Sequence, residues 1–471
     1  MNLHERLTEA LGRDAVKTQP EDLAVYAFDA YSQAAPPNAV VLPSSTQDVA
    51  AAVKISNACG EPVVPRGAGT GLCGGAVPAK GGVVISFARM NRLLALDVRN
   101  KRAHVQPGLI NLELSEQIRS SGLFYAPDPS SQKVSTIGGN CATNAGGPHC
   151  LSYGTTVNHI LGLEIVDERG EIFTTSLDDI GYDLTGTLVG SEGTLGIICA
   201  IDVRLMKLPE SVRVWLAAFG DVEAASETVS AIIGAGIVPT ALEIMDDVIV
   251  GAVEAAYGAG YPTDAGAVLL IEQAGFADDM DERESAIREI AHEHGAISWR
   301  AAKTQAECDL LWAGRKGAAG ATGRYAPNYY IQDVCVPRSK LPTALHSVTQ
   351  SARRHGLKVG NVFHAGDGNL HPLLMYDKRD RQQVAAVIGA GNEILQTCVD
   401  LGGTISGEHG IGYEKRDTLS LVFSTDDLAT MAKMRDVFDP RRVLNPEKIF
   451  PAGIGCAEVK PPDAAYVISN R

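Results

Sequence analysis

The stretch RGAGTG, residues 66–71, constrains the fold of this chain more than any other, because no helix continues from it. A Rossmann dinucleotide unit requires strand, glycine loop and helix, with an acidic residue ~20 positions further on at the end of a second strand. Here a short strand over 62–65 enters the loop, but the chain continues as LCGGAVPAKGG (72–82), which is more turn rather than helix. That excludes the Rossmann architecture. Two readings of the loop remain: a nest of backbone N–H groups converging on an anion, or a tight turn beside a hairpin.

The loop is one of several. APDPSS (126–131), TIGGNCATNAGG (136–147), SYG (152–154) and LVGSEGTLGII (188–198) are further small-residue loops. So much small, polar backbone suits close wrapping around a large, flat, polyanionic cofactor, where bulky side chains would be excluded. The 49 glycines concentrate in the first 200 residues and again over 360–412, so the chemistry is to be sought in those two regions.

A chain of 471 residues exceeds one hydrophobic core and implies two or three domains. The net charge of −15 argues against nucleic acid, although a local basic clamp could still hold a small anion. Nine cysteines stand singly with no CxxC pair, so neither a disulfide framework nor an iron–sulfur cluster is readable, and a reducing compartment is expected. The charged start, MNLHERLTEALGRDAV, shows no secretory h-region, and no apolar run reaches the ~18 residues of a membrane span. A cytoplasmic protein, docked to a membrane at most through a partner, is the expectation.

Element patterns divide the chain. Residues 44–60 read as a capped helix with Val49, Ala52, Val53 and Ser56 on one face. Strands are predicted over 81–87, 103–107 and 159–175, the last a hairpin turning at Glu168–Gly170. After Pro209, strands over 213–219, 238–245, 267–273 and 329–337 alternate with helices over 221–236, 278–295 and 340–356. This predicts an antiparallel sheet with helices on one face. A last helix begins at Thr425 and is broken by DPRRVLNPEK.

In the second glycine-rich region, HAGDGNLH (364–371) precedes GGTISGEHGIGYEK (402–415) by about 40 residues. Read as a glycine-rich loop, HAGDGNLH could bind phosphate, bind a metal or simply turn. His364, His371, Glu408 and His409 could supply a His₂Glu set, a common catalytic-metal pattern that leaves a coordination position open. Asp367 most simply makes an Asx-turn, and its charge disfavours an anion in the nest.

The order VPRGAGTGL, PDPSS, TIGGNCATNAGG, GSEGTLGI resembles the flavin domain of the vanillyl-alcohol-oxidase/p-cresol-methylhydroxylase superfamily. HxGDGNLH with the later GEHGIG resembles its D-2-hydroxyacid dehydrogenase branch, over nearly the whole chain through LNPEKIF (444–450). That branch holds D-lactate and D-2-hydroxyglutarate dehydrogenases and the flavin subunit of bacterial glycolate oxidase. The resemblance implies an α+β fold: a two-subdomain FAD-binding domain over 1–212, a substrate-binding cap over 213–415, and a helical segment over 416–471 returning to the FAD domain.

The resemblance also implies roles. Arg66, Gly67, Ala68, Gly69 and Thr70 would cradle the FAD pyrophosphate, and Pro65 and Gly71 beside them would also contact the cofactor. Pro129, Ser130, Ser131, Thr136, Gly138, Gly139, Asn140, Thr143, Asn144, Tyr153, Gly154, Glu192, Gly193, Gly196, Ile197 and Asn445 would hold the remainder. Thr70 stands where some relatives carry a flavin-linking histidine, and Cys150 is a poor linker, so FAD is expected to be non-covalent. His364, His371 and Glu408 would bind a divalent metal, Zn²⁺, and His409 would be the catalytic base. Arg315, in LWAGR, would bind the substrate carboxylate, with Lys316 pointing elsewhere. The expected reaction is oxidation of a small 2-hydroxy acid, with electrons leaving to separate subunits, one flavin-domain-like and one iron–sulfur; a homodimer is a further expectation. Dicarboxylate-oxidising relatives carry lysine and asparagine at the positions of Ile331 and Leu373, which favours glycolate or D-lactate here.

Overall fold

The computed structural model describes residues 1–31 and 34–451. Its chain divides into two units. Among the described residues, the first comprises Met1–Gly147, Gly154–Leu208 and the chain from Glu408 to residue 451; the second comprises Pro148–Tyr153 and Pro209–Gly407.

The first unit holds two main sheets, besides a two-stranded pair of Leu123–Phe124 with Met206–Lys207. In one, β1 (Val16–Lys17), β2 (Ala39–Val41), β3 (Val63–Arg66) and β4 (Val83–Ser86) stand in the order β1-β2-β4-β3, with β2 and β3 parallel to β4. Parallel strands need a crossover, and helix α1 (Thr46–Ala58) carries the chain from β2 over to β3, the two strands that flank β4. Ser45 and Asp48 form a capping box at its start, and Val49, Ala52, Val53 and Ser56 are buried as their spacing predicted.

The other sheet is antiparallel: β5 (Leu93–Asp97), β6 (Arg102–Val105), β7 (Ile160–Val166), β8 (Ile172–Ser176) and β9 (Ile197–Arg204), in the order β5-β6-β9-β7-β8. The β7–β8 hairpin turns through Gly170 at φ 79°. Helix α2 (Ile137–Thr143) packs Ile137 and Cys141 against Val105, Leu163 and Ile201 of this sheet.

The second unit is built on one eight-stranded antiparallel sheet. Its strands are β10 (Ser211–Phe219), β11 (Ala241–Asp246), β12 (Ala267–Gly275), β13 (Ala296–Ala301), β14 (Asn328–Ile331), β15 (Val334–Cys335), β16 (Lys358–His364) and β17 (Asn369–Tyr376). The order is β13-β10-β12-β11-β16-β17-β14, with β15 also paired to β17. Helices α3 (Val222–Gly234), α4 (Asp247–Tyr257), α5 (Met280–Glu293), α6 (Gln305–Lys316), α7 (Leu341–Arg354) and α8 (Arg381–Asp400) accompany it.

Strand alternation sorts the sheet's two faces. Trp215, Phe219, Ile271, Ile244 and Phe363 point to one face, and the expected helical layer of α3, α5, α7 and α8 lies there. Val214, Leu216, Val268, Leu270, Met245 and Val362 point to the other, where α4 and α6 pack.

Two predicted elements differ from the structure. HAGDGNLH is a hairpin rather than a loop: His364 ends β16, His371 lies inside β17, and only residues 365–368 turn. Asp367 does make the predicted Asx-turn, accepting from the N–H of Asn369 at 3.2 Å. The predicted strand 329–337 is interrupted, because Gln332 and Asp333 separate β14 from β15. The C-terminal helix α9 (Thr425–Phe438) ends at Asp439, as DPRR suggested. The chain then returns to β3, where Val63 donates to the carbonyl of Val443 and accepts from the N–H of Asn445. Residues 452–471 of the predicted C-terminal segment lie outside the described residues.

Candidate functional site

The candidate residues of the second unit gather on one face of the eight-stranded sheet. Glu243 on β11 pairs in register with His364 on β16, and Val362 on β16 with His371 on β17. Same-face residues alternate along each strand, so Glu243, His364, His371 and Leu373 share a face, with Ile331 opposite Leu373. Glu243 was not anticipated. It is fully buried, and its carboxylate lies 2.8 Å from His364 Nδ1 and 2.5 Å from Nη2 of Arg315, which α6 delivers to the same face. The sequence signal was there: a single glutamate inside the apolar strand ALEIMD.

The His364 and His371 rings stand perpendicular with centroids 5.1 Å apart. Behind His371, Asp333 lies 3.8 Å from Nδ1. It occupies the interruption between β14 and β15, where its carboxylate accepts from Ser406 Oγ (2.8 Å) and the N–H of Gly407 (2.9 Å). Gly407 closes the second unit, and the next two residues in the chain are Glu408 and His409. His364, with Nδ1 held by Glu243, matches the outer-shell arrangement that fixes the tautomer of a metal-ligating histidine; at 3.8 Å, Asp333 makes no such hydrogen bond to His371.

Arg315 is 4% exposed, its Nη2 is held by Glu243, and its Nε–H has no partner among the described residues. A buried orphan guanidinium donor costs free energy unless a ligand supplies an acceptor. Trp312, one turn earlier on α6, donates Nε1–H to Glu272, which also meets His149 Nε2 at 2.9 Å. Tyr153 and Cys150 belong to this same 148–153 segment of the second unit, with the Tyr153 ring 6.0 Å from His149.

The first unit presents the glycine loops. β3 ends in Pro65–Arg66, and the chain opens into Gly67–Gly71, with Ala68 exposed. Arg66 folds back, donating to the carbonyl of Phe28 at 2.6 Å, and burial lowers its pKa. Its guanidinium fills the space a side chain at Gly69 (φ 73°) would need. A Cβ on Gly67 would stand 2.4 Å from Thr136 Oγ1, so this loop and the start of α2 lie against each other only because residue 67 is glycine.

Thr136 caps α2, accepting from Gly139 N–H, and Gly138 lies against Pro107. Asn144 ends α2 at φ 50°, and its Oδ1 accepts from the N–H of Val157. Asn140 is buried, and its Nδ2 amide has no partner among the described residues. An orphan donor enclosed by glycine backbone fits a site completed by a polar cofactor. The loop of Pro129, Ser130 and Ser131 is a tight turn, its carbonyls accepting from Gln132 and Ser135.

Glu192 sits in GSEG at φ 52°. Burial lifts its carboxyl to about 7, although it accepts from the N–H groups of Ile411 (2.7 Å) and Gly412 (2.8 Å). Gly193 packs on Pro65 and Gly196 on Ile165, where Ile197 starts β9. Gly154 turns at φ 79° against Asn158. Asn445, also in the left-handed region, donates to the carbonyls of Gly75 and Glu192. Buried Lys448 donates to the carbonyl of Val77, and burial lowers its pKa to about 8.

Close-packed glycine loops in the first unit and a buried polar face on the second unit, each by itself, are features of the flavin-dependent oxidoreductase class. Comparison with known proteins agrees. Residues 37–176 match the FAD binding domain, and residues 208–449 match the FAD linked oxidases, C-terminal domain. The chain belongs to the FAD-linked oxidase family.

It is 43% identical over 425 residues to the glycolate oxidase subunit GlcD of Escherichia coli (strain K12), covering 90% of this chain and 85% of that one. It is 35% identical over 428 residues to a D-lactate dehydrogenase of Anaerostipes hadrus, covering 88% and 89%. The fold matches that of p-cresol methylhydroxylase at a TM-score of 0.81 and 16% identity, over 95% and 96% of the two chains. Among the described residues no helix is long and apolar enough to cross a membrane.

Proposed function

We propose that this protein oxidises a short D-2-hydroxy acid, glycolate to glyoxylate or D-lactate to pyruvate, with non-covalent FAD as electron acceptor. The observation that carries this reading is the buried row Arg315–Glu243–His364, with His371 on the same sheet face. A 2-hydroxy acid presents a carboxylate next to a hydroxyl. In this reading the orphan Nε–H of Arg315 takes a carboxylate oxygen in a charge-assisted hydrogen bond.

His364 has its Nδ1 committed to Glu243, so Nε2 is the ligating atom, and with His371 and Glu408 it would hold a divalent ion, Zn²⁺. When bound, the ion supplies positive charge that lowers the hydroxyl pKa, and FAD supplies the two-electron sink. His409 accepts the hydroxyl proton as hydride leaves the adjacent carbon. Ile331 and Leu373, paired on the site face, offer no polar partner to a second carboxylate, which supports a monocarboxylate substrate.

Two relatives support the substrate class, one named for glycolate and one for D-lactate. The first is named as a subunit, which supports electron transfer to a separate subunit that carries the onward redox groups. A cytoplasmic enzyme, with any membrane contact made through such a partner, fits this reading.

The test is anaerobic bleaching of the flavin band by a panel of 2-hydroxy acid enantiomers, before and after metal removal and with Zn²⁺ restored. Glycolate and D-lactate should bleach it, L-lactate should not, and the metal-depleted protein should respond only after Zn²⁺ returns. Full bleaching by metal-free protein would remove the metal from the mechanism. A kcat/KM for D-2-hydroxyglutarate more than about tenfold above both monocarboxylates, about 1.4 kcal/mol in favour of the dicarboxylate, would overturn the substrate assignment.

A further inference from the structure

Two glycine loops of the first unit converge on one short segment, His409–Glu414. From GSEG, both oxygens of Glu192 are engaged: Oε1 accepts from the N–H of Ile411 at 2.7 Å and Oε2 from that of Gly412 at 2.8 Å. From GLCGG, the Cys73 carbonyl accepts from the N–H groups of Tyr413 (2.8 Å) and Glu414 (3.1 Å). The Cys73 thiol donates to the carbonyl of Gly410 at 3.0 Å.

The segment is shaped to receive this clasp. Gly410 has φ 87°, and a Cβ there would lie 2.8 Å from Glu192 Oε1; Gly412 has φ 56°, and a Cβ there would lie 2.1 Å from the Cys73 carbonyl. Every residue from Gly410 to Glu414 is thus bonded to Glu192 or Cys73 through its backbone.

The arrangement is costly to build. Glu192 adopts a left-handed backbone that non-glycine residues avoid, and a carboxylate is enclosed away from water. Asn445 fixes the Glu192 backbone by donating to its carbonyl. A carboxylate whose two oxygens each take a backbone N–H from one segment is suited to holding that segment. An amide could not replace it, since its NH₂ would face one of the two N–H donors.

We infer that Glu192 is a positioning residue for His409: it fixes the base through Ile411 and Gly412, while Cys73 holds the same segment from the opposite loop. This departs from the cofactor-binding role that its place in GSEGTLG implied, and it rests on His409 being the base. The reacting atoms must be held to a fraction of an ångström, because a misplacement of 1 Å can cost about 100-fold in rate.

The experiment is anaerobic stopped-flow reduction of the holoenzyme by D-lactate or glycolate, comparing wild type with Glu192→Gln, Cys73→Ala and His409→Asn. Substrate dependence of the reduction rate separates binding from the chemical step. Glu192→Gln should retain full FAD and an unchanged substrate dissociation constant while its limiting reduction rate falls about 10- to 100-fold. Cys73→Ala, which loses one weak S–H···O bond, should fall by less.

A Glu192→Gln rate within about twofold of wild type overturns the inference, and so does loss of FAD from that variant, which would make Glu192 a cofactor residue. If Glu192→Gln does not fold, Cys73→Ala decides: a slowed limiting rate with FAD retained supports the clasp, and an unchanged rate overturns it. His409→Asn tests the underlying reading separately. A wild-type reduction rate there removes His409 as the base, whatever Glu192 does.

Discussion

Glu243→Gln should uncouple the second unit's buried charges while leaving side-chain volume intact. In the native protein one carboxylate, with no solvent exposure, meets Nη2 of Arg315 at 2.5 Å and Nδ1 of His364 at 2.8 Å. Arg315 is buried as well, so water screens the pair little. Removing the charge strands a buried guanidinium, which costs about 3–5 kcal/mol. The second unit has about 200 residues, a size at which 1 kcal/mol moves the midpoint by roughly 2–4 °C, so its unfolding transition should fall by about 6–20 °C.

His364 also loses the anionic acceptor that orients its ring, and the affinity of the proposed metal site should drop by about 10- to 100-fold. Differential scanning calorimetry reads the first effect, and metal content after dialysis against a buffered chelator reads the second. The double replacement Glu243→Leu with Arg315→Met separates them: removing both charges should recover most of the stability, while flavin reduction stays lost. The reasoning is refuted if Glu243→Gln melts within about 2 °C of wild type and keeps its metal.

Three further outcomes are expected. Gly138→Ala would place a Cβ 2.8 Å from the Pro107 carbonyl, so about 1–3 kcal/mol of stability and most bound FAD should be lost; an unchanged 450 nm to 280 nm absorbance ratio would contradict this. Burial lifts the Asp246 carboxyl to about 7, so the native state favours its neutral form, and its contribution to stability is greatest at low pH and declines as pH rises through 7. Measured against Asp246→Asn, which cannot ionise, wild-type stability should fall between about pH 4 and about pH 7, the window between the ordinary carboxyl range and the raised value, and level off above it; a pH-independent difference would refute it. Ile331→Lys with Leu373→Asn should raise kcat/KM for D-2-hydroxyglutarate relative to D-lactate by at least about tenfold, and an unchanged ratio in steady-state assays would show that these paired positions do not face the substrate.

What could be read from the sequence was local. The left-handed turns and close backbone approaches around RGAGTG, TIGGNCATN and GSEG are written in glycine and asparagine, which tolerate them, and the cap of α2 in threonine; Glu192, at φ 52°, is the exception. The same local texture separated this chain from a Rossmann fold. Helix α1 was legible because its cap and its buried face lie within one span of sequence. The hairpin carrying His364 and His371 was harder, since Gly360, Gly366 and Gly368 gave two buried strands the texture of a loop. Gln332 and Asp333 interrupt a run that reads as one continuous strand, and nothing local marks the break.

The sequence by itself determined which residue types could meet a flavin and a 2-hydroxy acid, because motif spacing and backbone tolerance are properties of neighbours. Only the tertiary structure decided the pairings. Glu243 meets His364 through strand register across 121 positions, and Glu192 reaches Ile411 and Gly412 across 219 and 220. Such contacts depend on which strands and loops become adjacent, and a buried charge reveals its role only when its partner comes within hydrogen-bond distance.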